Sequence, residues 1–194
     1  AQDLAHHAGS VVRIASGGEV PDDNPFVATE GALPEIYSYG HRNPQGAAFD
    51  ARGQLWVVEH GPRGGDEVNN VTPGTNYGWP LIGYGRHYSG AKVGLGTSAP
   101  GLAQPAHYWD PSIAPSGMVF YDGDMFPDWR GDALIGSLKF DYISRLRPSG
   151  TRMDEVEQIS GATTGRVRDI QVAKDGSIWF LSVADGSLYR MARD

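Results

Sequence analysis

The sequence predicts an all-β fold built from repeated antiparallel hairpins. Its 27 glycines and 13 prolines favour turns, and no long stretch carries the 3.6-residue periodicity of an amphipathic helix. Hairpin-like segments recur along the 194 residues, which is typical of a β-propeller. A β-sandwich with similar hairpins is the alternative that these patterns leave open.

Two segments share one pattern, in which a strand leads through a tight turn into a second strand. Residues 49–58 and residues 172–181 each place a glycine, Gly53 or Gly176, in a polar turn. Glycine supplies the positive φ that a tight hairpin turn requires, and an aromatic and aliphatic strand follows it. Residues 10–14 come before both segments and are expected to be the last strand of a further blade.

A third hairpin lies between these two, from residue 117 to residue 138, with a longer turn through residues 127–131. Each hairpin is followed by one more strand-like segment, at residues 66–71, 142–147 and 187–191. Each unit then has about four strands, the size of one propeller blade. An incomplete set of about three to four blades leaves unpaired sheet edges. We therefore expect residues 1–194 to form one partial β-propeller domain without its N-terminal blades. Either the chain is a fragment, or a second chain or segment supplies the remaining blades.

Composition and charge argue against several functional classes and structural features. A formal net charge of −7 argues against a nucleic-acid partner, which requires a clustered basic surface. The chain has no cysteine, so disulfides and thiolate metal sites are excluded. The apolar runs fall far short of the roughly 20 residues of a membrane span. The first ten residues lack the features of a secretory signal, which implies a mature or truncated start.

Residues 39–46 form a polar loop before a predicted strand. Arg42 offers a planar fork of donors suited to carboxylates or a quinone oxygen, and Asn43 offers both a donor and an acceptor. Pro44 restricts the loop beside them. These residues predict an anion-binding loop, and the alternative is that Arg42 and Asn43 cap local turns on the surface.

Residues 59–67 form a second loop, rich in glycine, after the strand that ends at residue 58. The glycines let the backbone fold tightly, and Pro62 removes a donor, so carbonyl oxygens can turn toward a hard cation such as calcium. Asp66 and Glu67 are adjacent, so in a strand they point to opposite faces. A flexible acidic surface loop is the alternative.

Arg166 and Arg168 form a third candidate group. Residues i and i+2 of a strand share one face, so the two guanidinium groups could converge on one anion. Lys139 provides a cation in the corresponding loop of the preceding unit. The alternative is a solvated basic edge.

These loops resemble the soluble aldose sugar dehydrogenases of the glucose/sorbosone dehydrogenase family, which use pyrroloquinoline quinone (PQQ) and calcium. The resemblance covers nearly the whole chain and includes residues 42–46, 59–67, 76–80, 111–117, 136–139 and 165–169. It implies a six-bladed propeller that oxidises an aldose to a lactone by hydride transfer to PQQ, with an external electron acceptor. It also implies a periplasmic or secreted location.

The resemblance implies roles for individual residues. Arg42 would be catalytic, because it would stabilise negative charge that develops on the quinone. The residues implied to contact the cofactor are Arg42, Asn43, His60, Asp66, Ser112, Lys139, Arg166 and Arg168. Those implied to bind calcium are Gly61 and Pro62 at the active-site ion, and Glu67 and Tyr77 at a structural ion. Ser112 has an equally good interpretation as a turn former.

The sequence departs from the family at three points. His107 and Asp110 stand where relatives place an aromatic residue and a tryptophan, although Tyr108 and Trp109 intervene. His60 replaces a glutamine of some relatives. The family's histidine base corresponds to a position before residue 2, so we expect the chain alone to be inactive or nearly so. His41 and His60 are candidate replacements, but a histidine beside a ligand pocket is more often a hydrogen-bonding wall residue.

Two other functions remain open at this stage. A calcium-dependent lactonase-type propeller would use the metal without PQQ, but it gives the cations Arg42, Lys139, Arg166 and Arg168 no evident role. A non-catalytic carbohydrate-binding propeller module is the other alternative.

Overall fold

A computed structural model describes residues 1–193. It contains thirteen β-strands and one 3-10 turn at Pro127–Trp129 over those residues, with antiparallel pairing throughout the sheets. The strands are β1 (Ser10–Val12), β2 (Ile36–Tyr39), β3 (Pro44–Phe49), β4 (Leu55–Glu59), β5 (Asp66–Asn70), β6 (His107–Trp109), β7 (Pro115–Phe120), β8 (Ala133–Ser137), β9 (Tyr142–Ser149), β10 (Arg152–Ser160), β11 (Val167–Val172), β12 (Ile178–Ser182) and β13 (Ser187–Met191).

The strands form four sheets in which chain order equals spatial order. Strands β3 to β6 form the first blade, β7 to β10 the second blade and β11 to β13 the third blade, while β1 pairs with β2. The three hairpins predicted from the sequence are β3–β4, β7–β8 and β11–β12, and the strands predicted after them are β5, β9 and β13. The prediction of an incomplete β-propeller is therefore confirmed.

The first strands of the three blades lie side by side. A Cβ atom added to Gly46 in β3 would lie 2.5 Å from the Ser116 carbonyl oxygen in β7. One added to Gly117 in β7 would lie 2.7 Å from the Asp169 Cα in β11. Glycine is required at both positions because the backbones approach too closely for a side chain.

Apolar side chains fill the space between successive blades. One core cluster joins the first and second blades and includes Trp56, Val68 and Ile135. Another joins the second and third blades and includes Leu134 and Ile170. Because burial of this apolar surface is a main stabilising contribution, it also fixes the loops at the blade ends relative to one another.

Three strands were not predicted, namely β2, β6 and β10. Strand β1 is shorter than the predicted segment at residues 10–14, and it forms a two-stranded sheet with β2. No helix among residues 1–193 is both long and apolar enough to cross a membrane.

Candidate functional site

The predicted loops occupy equivalent ends of the three blades. In the first blade, Pro44 pairs with Glu59 and Glu59 pairs with Glu67, which brings both predicted loops to one end of the sheet. In the second blade, Pro115 pairs with Ser137, so Ser112 and Lys139 lie at the same end. Arg166 immediately precedes β11 in the third blade, which gives it the equivalent position.

Hydrogen bonds join these ends from one blade to the next. The His60 Nε2 atom lies 2.7 Å from the Pro115 carbonyl oxygen, between the first and second blades. Ser116 Oγ donates to the Val167 carbonyl oxygen at 2.6 Å, between the second and third blades. Arg166 Nη1 donates to the Leu138 carbonyl oxygen at 2.9 Å, next to Lys139. The loops of three successive blades therefore share one face of the molecule.

Arg42 is held in place but keeps donor capacity. Its Nη1 atom donates to the His60 carbonyl oxygen at 3.0 Å, and its guanidinium lies 5.2 Å from the centre of the Trp79 ring. Its backbone N–H donates to Glu59 Oε2 at 2.6 Å. Its Nε atom is buried without a hydrogen-bond partner among residues 1–193. A buried guanidinium donor without a partner fits a site that receives an anionic or carbonyl oxygen.

The two histidines of these loops are both engaged. His41 is fully buried, with Nδ1 3.0 Å from Glu59 Oε1 and Nε2 2.9 Å from Ser38 Oγ. Its ring stacks on Tyr77 at 4.4 Å between centroids. The Nε2 atom of His60 faces the Pro115 carbonyl oxygen. The geometry supports the interpretation of both as hydrogen-bonding wall residues.

The Asp66 side chain is buried, whereas the sequence led us to expect it in the lining of the cofactor pocket. Its carboxylate is fully buried. It accepts hydrogen bonds from the Gly61 N–H at 2.8 Å, Ser112 Oγ at 2.7 Å, the Ile113 N–H at 2.8 Å and the Ala114 N–H at 2.9 Å. Because these donors occupy both oxygens, Asp66 positions the loops of two blades and has no exposed oxygen for a ligand.

Ser112 and Lys139 line one surface cleft of about 710 Å³. Pro62, Arg63 and Arg86 also line this cleft. Ser112 therefore belongs to the cleft and, through its hydroxyl, to the Asp66 network. Among residues 1–193, neither the Lys139 ammonium nor the two arginine side chains form an ion pair.

The arginines at 166 and 168 do not share a regular strand face, so that part of the sequence reasoning is wrong. Arg166 precedes β11 and has a φ of 48°, in the left-handed region. The register of β11 against β12 shifts between Val167 and Asp169, so Arg168 lies in a bulge. Both side chains are exposed at the end of the third blade. The direction of the Arg166 side chain is set by the loop before β11, and that of Arg168 is set by the bulge.

Glu59 and Glu67 form a pair of like charges. They lie directly opposite each other on β4 and β5, and Asn69 Nδ2 donates to both, at 2.9 Å and 3.2 Å. Burial, together with the negative charge of Glu59, raises the pKa of Glu67 to about 8. Asp66 and Glu67 point to opposite faces, as the sequence predicted. Opposed carboxylates are destabilising unless a proton or a cation lies between them.

A small pocket next to this pair is lined by all four of the predicted metal-binding residues. It is lined by Glu59, Glu67, Gly61, Pro62 and Tyr77, among others. Within residues 1–193, no three or more histidine, aspartate or glutamate side chains are grouped so as to hold a metal. A cation here would need backbone oxygens, which calcium accepts readily.

Comparison with known proteins identifies the family. The family described as glucose/sorbosone dehydrogenase matches residues 1–190. The chain belongs to this family. It is 44% identical over 185 residues to the aldose sugar dehydrogenase YliI of Escherichia coli strain K12, covering 94% of this chain and 50% of that protein. It is 40% identical over 108 residues to quinoprotein glucose dehydrogenase B of Acinetobacter calcoaceticus, covering 53% of this chain and 22% of that protein.

Solved structures of the glucose/sorbosone dehydrogenase type agree with the fold. The apo form of the soluble aldose sugar dehydrogenase from Escherichia coli superposes with a TM-score of 0.92 at 41% identity, covering 100% of this chain and 57% of that chain. The PQQ-bound aldose sugar dehydrogenase from Streptomyces coelicolor gives 0.71 at 28% identity, covering 93% and 48%. Nearly all of this chain aligns with these relatives, but it spans only about half of the length of each relative.

Three residues near the blade ends that carry Arg42 and Lys139 were not predicted from the sequence. Trp79 supports the Arg42 guanidinium, and Glu59 receives four hydrogen bonds that fix residues 41–43 and Asn69. The cross-strand pairing of Glu59 with Glu67 follows once the hairpin register is known. No sequence pattern predicts that Arg86 lies at the site, because it reaches Arg63 only through an isolated β-bridge between the two backbones.

We expect the stability of the protein, measured in the presence of a chelator, to depend on Glu67 between about pH 4.5 and pH 8. The folded state raises the pKa of Glu67 from 4.5 to about 8, so it binds more protons than the unfolded state in this window. The stabilising contribution is full below pH 4.5 and is lost as pH rises through 8. Denaturant unfolding of wild type and Glu67→Gln across this range, with a chelator, measures the effect. A pH slope that is the same in both proteins would contradict the assignment.

Proposed function

We propose that this chain is the cofactor-binding part of a PQQ- and calcium-dependent aldose sugar dehydrogenase that oxidises aldoses to lactones. One observation carries the proposal. The equivalent ends of three successive blades present Arg42, Lys139 and Arg166 on a single face of a protein with a net charge of −7. A cluster of cations in an acidic protein favours a polyanionic ligand, and PQQ is a tricarboxylate.

The side chains at this face fit PQQ. Arg42 and Asn43 would contact the quinone, while Lys139, Arg166 and Arg168 would pair with its carboxylates. Ser112 would supply a hydroxyl from the cleft wall, and His60 would border the site beside Gly61. Asp66 would act through the loops that it anchors. The buried Nε of Arg42, which has no partner in residues 1–193, supports an oxygen ligand at this point.

The residues also fit calcium at two positions. The carbonyl oxygens of Gly61 and Pro62 would bind an ion beside the cofactor. Glu67 and the Tyr77 carbonyl oxygen would bind a structural ion, where a divalent cation would relieve the repulsion between Glu67 and Glu59. Burial, together with the negative charge of Glu59, raises the pKa of Glu67, so a cation bound beside the two carboxylates would favour their ionised forms.

The chemistry divides between the bound groups and the protein. When bound, PQQ supplies the hydride acceptor and calcium supplies Lewis acidity. Arg42, fixed by the His60 carbonyl and the Trp79 ring, holds donors where negative charge develops, a contribution of about 3 kcal/mol per donor in other enzymes. Trp79 positions the Arg42 side chain, and Asp66 positions the loop of Gly61 and the loop of residues 112–114.

The proton of the sugar hydroxyl needs an acceptor other than His41 or His60. Both nitrogens of His41 face hydrogen-bond partners, and His60 Nε2 faces a carbonyl oxygen. We therefore propose that a segment outside residues 1–193 supplies the base, together with the remaining blades. Residues 1–194 expressed alone are then expected to bind PQQ but to oxidise little or no sugar. An external electron acceptor and a periplasmic or secreted location belong to the same proposal.

Titration with PQQ in the presence of calcium tests the proposal. We expect binding with a change in the cofactor's absorbance, and oxidation of glucose by the natural protein with an artificial electron acceptor. A lactonase-type hydrolase or a carbohydrate-binding module would show neither. The absence of PQQ binding under these conditions would refute the proposal.

Removing cations from the proposed site should weaken PQQ binding. Lys139→Ala and Arg166→Ala each remove a charge-assisted contact, which is commonly worth about 1.5–3 kcal/mol, so the Kd should rise roughly 10- to 100-fold. Equilibrium titration of PQQ absorbance measures the change. Lys174→Ala is the matched control, because Lys174 is exposed in the turn at the opposite end of the third blade. Equal effects of all three substitutions would contradict the placement of the cofactor.

A further inference from the structure

Three cations lie in a row at the edge of the cleft that carries Ser112 and Lys139. The backbones of Arg63 and Arg86 form an antiparallel bridge, and Arg86 forms a second antiparallel bridge with Lys92. Residues directly opposite each other on antiparallel strands project from the same face. The side chains of Arg63, Arg86 and Lys92, called the cation row below, therefore share one face.

The arrangement of the cation row is unfavourable for the protein by itself, because like charges directly opposite each other on paired strands are destabilising. All three side chains are exposed, and among residues 1–193 none of them forms an ion pair. The backbone nevertheless keeps them in register. The Arg63 N–H donates to the Arg86 carbonyl oxygen at 3.0 Å, and the Arg86 N–H donates to the Arg63 carbonyl oxygen at 3.1 Å. An anionic surface bound over the row would relieve this repulsion.

The loop that carries Arg86 and Lys92 is fixed to the rest of the protein. Its residues Ile82 and Val93 are buried. The backbones of Gly85 and Gly64 approach so closely that no Cβ atom would fit on Gly85. The cation row is therefore preformed, and binding of a partner does not require the loop to become ordered first.

The same loop exposes apolar groups. Tyr88 lines the cleft together with Lys139 and retains 76% of its accessible surface. Leu81 and Leu95 are also exposed, and the Leu95 N–H donates to the Leu81 carbonyl oxygen at 2.8 Å, which keeps the two residues adjacent. Exposed aromatic and aliphatic groups next to arginine side chains are typical of protein–protein interfaces.

The charge of this surface selects an acidic partner. Within residues 1–193, the cations that line the cleft are Arg63, Arg86 and Lys139, and Asp110 is the only acidic side chain there. The protein as a whole has a net charge of −7, so the surface is a local basic exception. Basic proteins would be attracted to the acidic remainder of the molecule, whereas a partner with an acidic face would be steered to the cation row.

The cation row borders the cleft assigned above to the cofactor, where the electrons removed from the aldose leave the protein. We propose that the cation row, together with Tyr88, is the docking surface for an acidic one-electron carrier protein. Oxidation of one aldose to its lactone yields two electrons and two protons. Two oxidised carrier molecules, docking in turn, would each accept one electron, and both protons would pass to solvent. Electron-transfer partners use small and transient interfaces, which a few exposed side chains can provide.

This inference rests on the proposed function for the source of the electrons, but docking is measurable separately. The probes are plastocyanin, an acidic one-electron copper carrier, and cytochrome c, a basic one-electron haem carrier. In the natural protein with PQQ, calcium and excess glucose, stopped-flow absorbance gives the second-order rate at which each carrier is reduced. We expect the rate with plastocyanin to fall roughly 10-fold or more from about 10 mM to about 200 mM salt, because salt screens the steering.

Lys92→Glu places an acidic group in the cation row. With plastocyanin at low salt the rate should fall about 5- to 10-fold, whereas with cytochrome c it should stay the same or rise. Lys92 is exposed and lies outside the lining of the cleft, so glucose oxidation with benzoquinone, a small uncharged acceptor, should stay within twofold of wild type. Lys174→Glu is the matched control, because it makes the same charge change at the opposite end of the third blade. It should lower the rate with plastocyanin less than twofold.

The outcomes separate this inference from the proposed function. If glucose is oxidised with benzoquinone but wild type, Lys92→Glu and Lys174→Glu reduce plastocyanin at the same rate, the docking inference is wrong. If glucose is not oxidised, the dehydrogenase proposal fails, and titration of isotope-labelled plastocyanin at low salt, followed by NMR, still reports docking. Binding that Lys92→Glu weakens and Lys174→Glu does not would support the docking surface, and no binding to wild type would overturn it. Binding to phosphatidylglycerol vesicles without binding to plastocyanin would also overturn it, because the surface would then face an anionic membrane.

Discussion

Arg42→Ala is expected to lower kcat for aldose oxidation about 100- to 1000-fold in the natural protein with PQQ and calcium. This is the usual effect of removing one preorganised donor from a site where negative charge develops. The guanidinium is fixed before the reaction by the His60 carbonyl and the Trp79 ring, so little reorganisation is needed. Since the donor acts mainly on the transition state, kcat and kcat/KM should fall together.

Arg42→Lys separates charge from geometry. Lysine keeps the positive charge but cannot both donate to the His60 carbonyl and present a planar fork, so recovery should be small. Arg52→Ala is the control, because Arg52 is an exposed arginine in the turn at the opposite end of the first blade. Steady-state kinetics at saturating PQQ measure the effect. A kcat for Arg42→Ala within threefold of wild type would remove Arg42 from the mechanism.

The fold was largely predictable because its repeats are local. Each of the hairpins β3–β4 and β11–β12 contains a glycine in its turn, followed by a strand of aromatic and aliphatic residues. Both hairpins are therefore predictable from the alternation of residues along the strands and from the residues that tight turns require. Strand β6 has only three residues, and β10 is rich in charged residues, so neither has a pattern that stands out from a loop. Both become strands because a neighbouring strand offers its backbone donors and acceptors.

The candidate site was less predictable because its geometry depends on distant contacts. Local chemistry predicted an anion-binding loop at Arg42 but left a surface turn as the alternative, and it left a solvated basic edge as the alternative for the group of Lys139. The family resemblance favoured the cofactor interpretation of both. Arg166 adopts a left-handed conformation while its N–H donates to Asp141 Oδ1 at 2.8 Å, a contact across 25 positions of sequence. Asp66 resembled a pocket residue in sequence, but its partners 46 to 48 positions away bury it.

Asp66→Ala is expected to destabilise the protein by about 3–5 kcal/mol, because it removes a buried carboxylate whose hydrogen-bond donors stay buried. Its carboxylate receives three backbone N–H groups and one hydroxyl, and the substitution would leave buried donors without acceptors. Ala114, one of these donors, has a φ of 52°, which is unfavourable for a residue other than glycine. For a chain of 194 residues the loss corresponds to a fall in Tm of roughly 6–20 °C.

The same substitution should also disturb the site, because Asp66 joins Gly61 of the first blade to residues 112–114, which lead into the second blade. Ser112→Ala removes only the hydroxyl donor and should cost about 1 kcal/mol, so the difference between the two variants isolates the backbone donors. Asp122→Ala, an exposed aspartate, is the control and should change stability by less than about 0.5 kcal/mol. Thermal and denaturant unfolding measure all three. A Tm for Asp66→Ala within 2 °C of wild type, roughly 1 kcal/mol or less, would mean that relaxed loops or water satisfy these donors and that Asp66 does not hold the two blades in register.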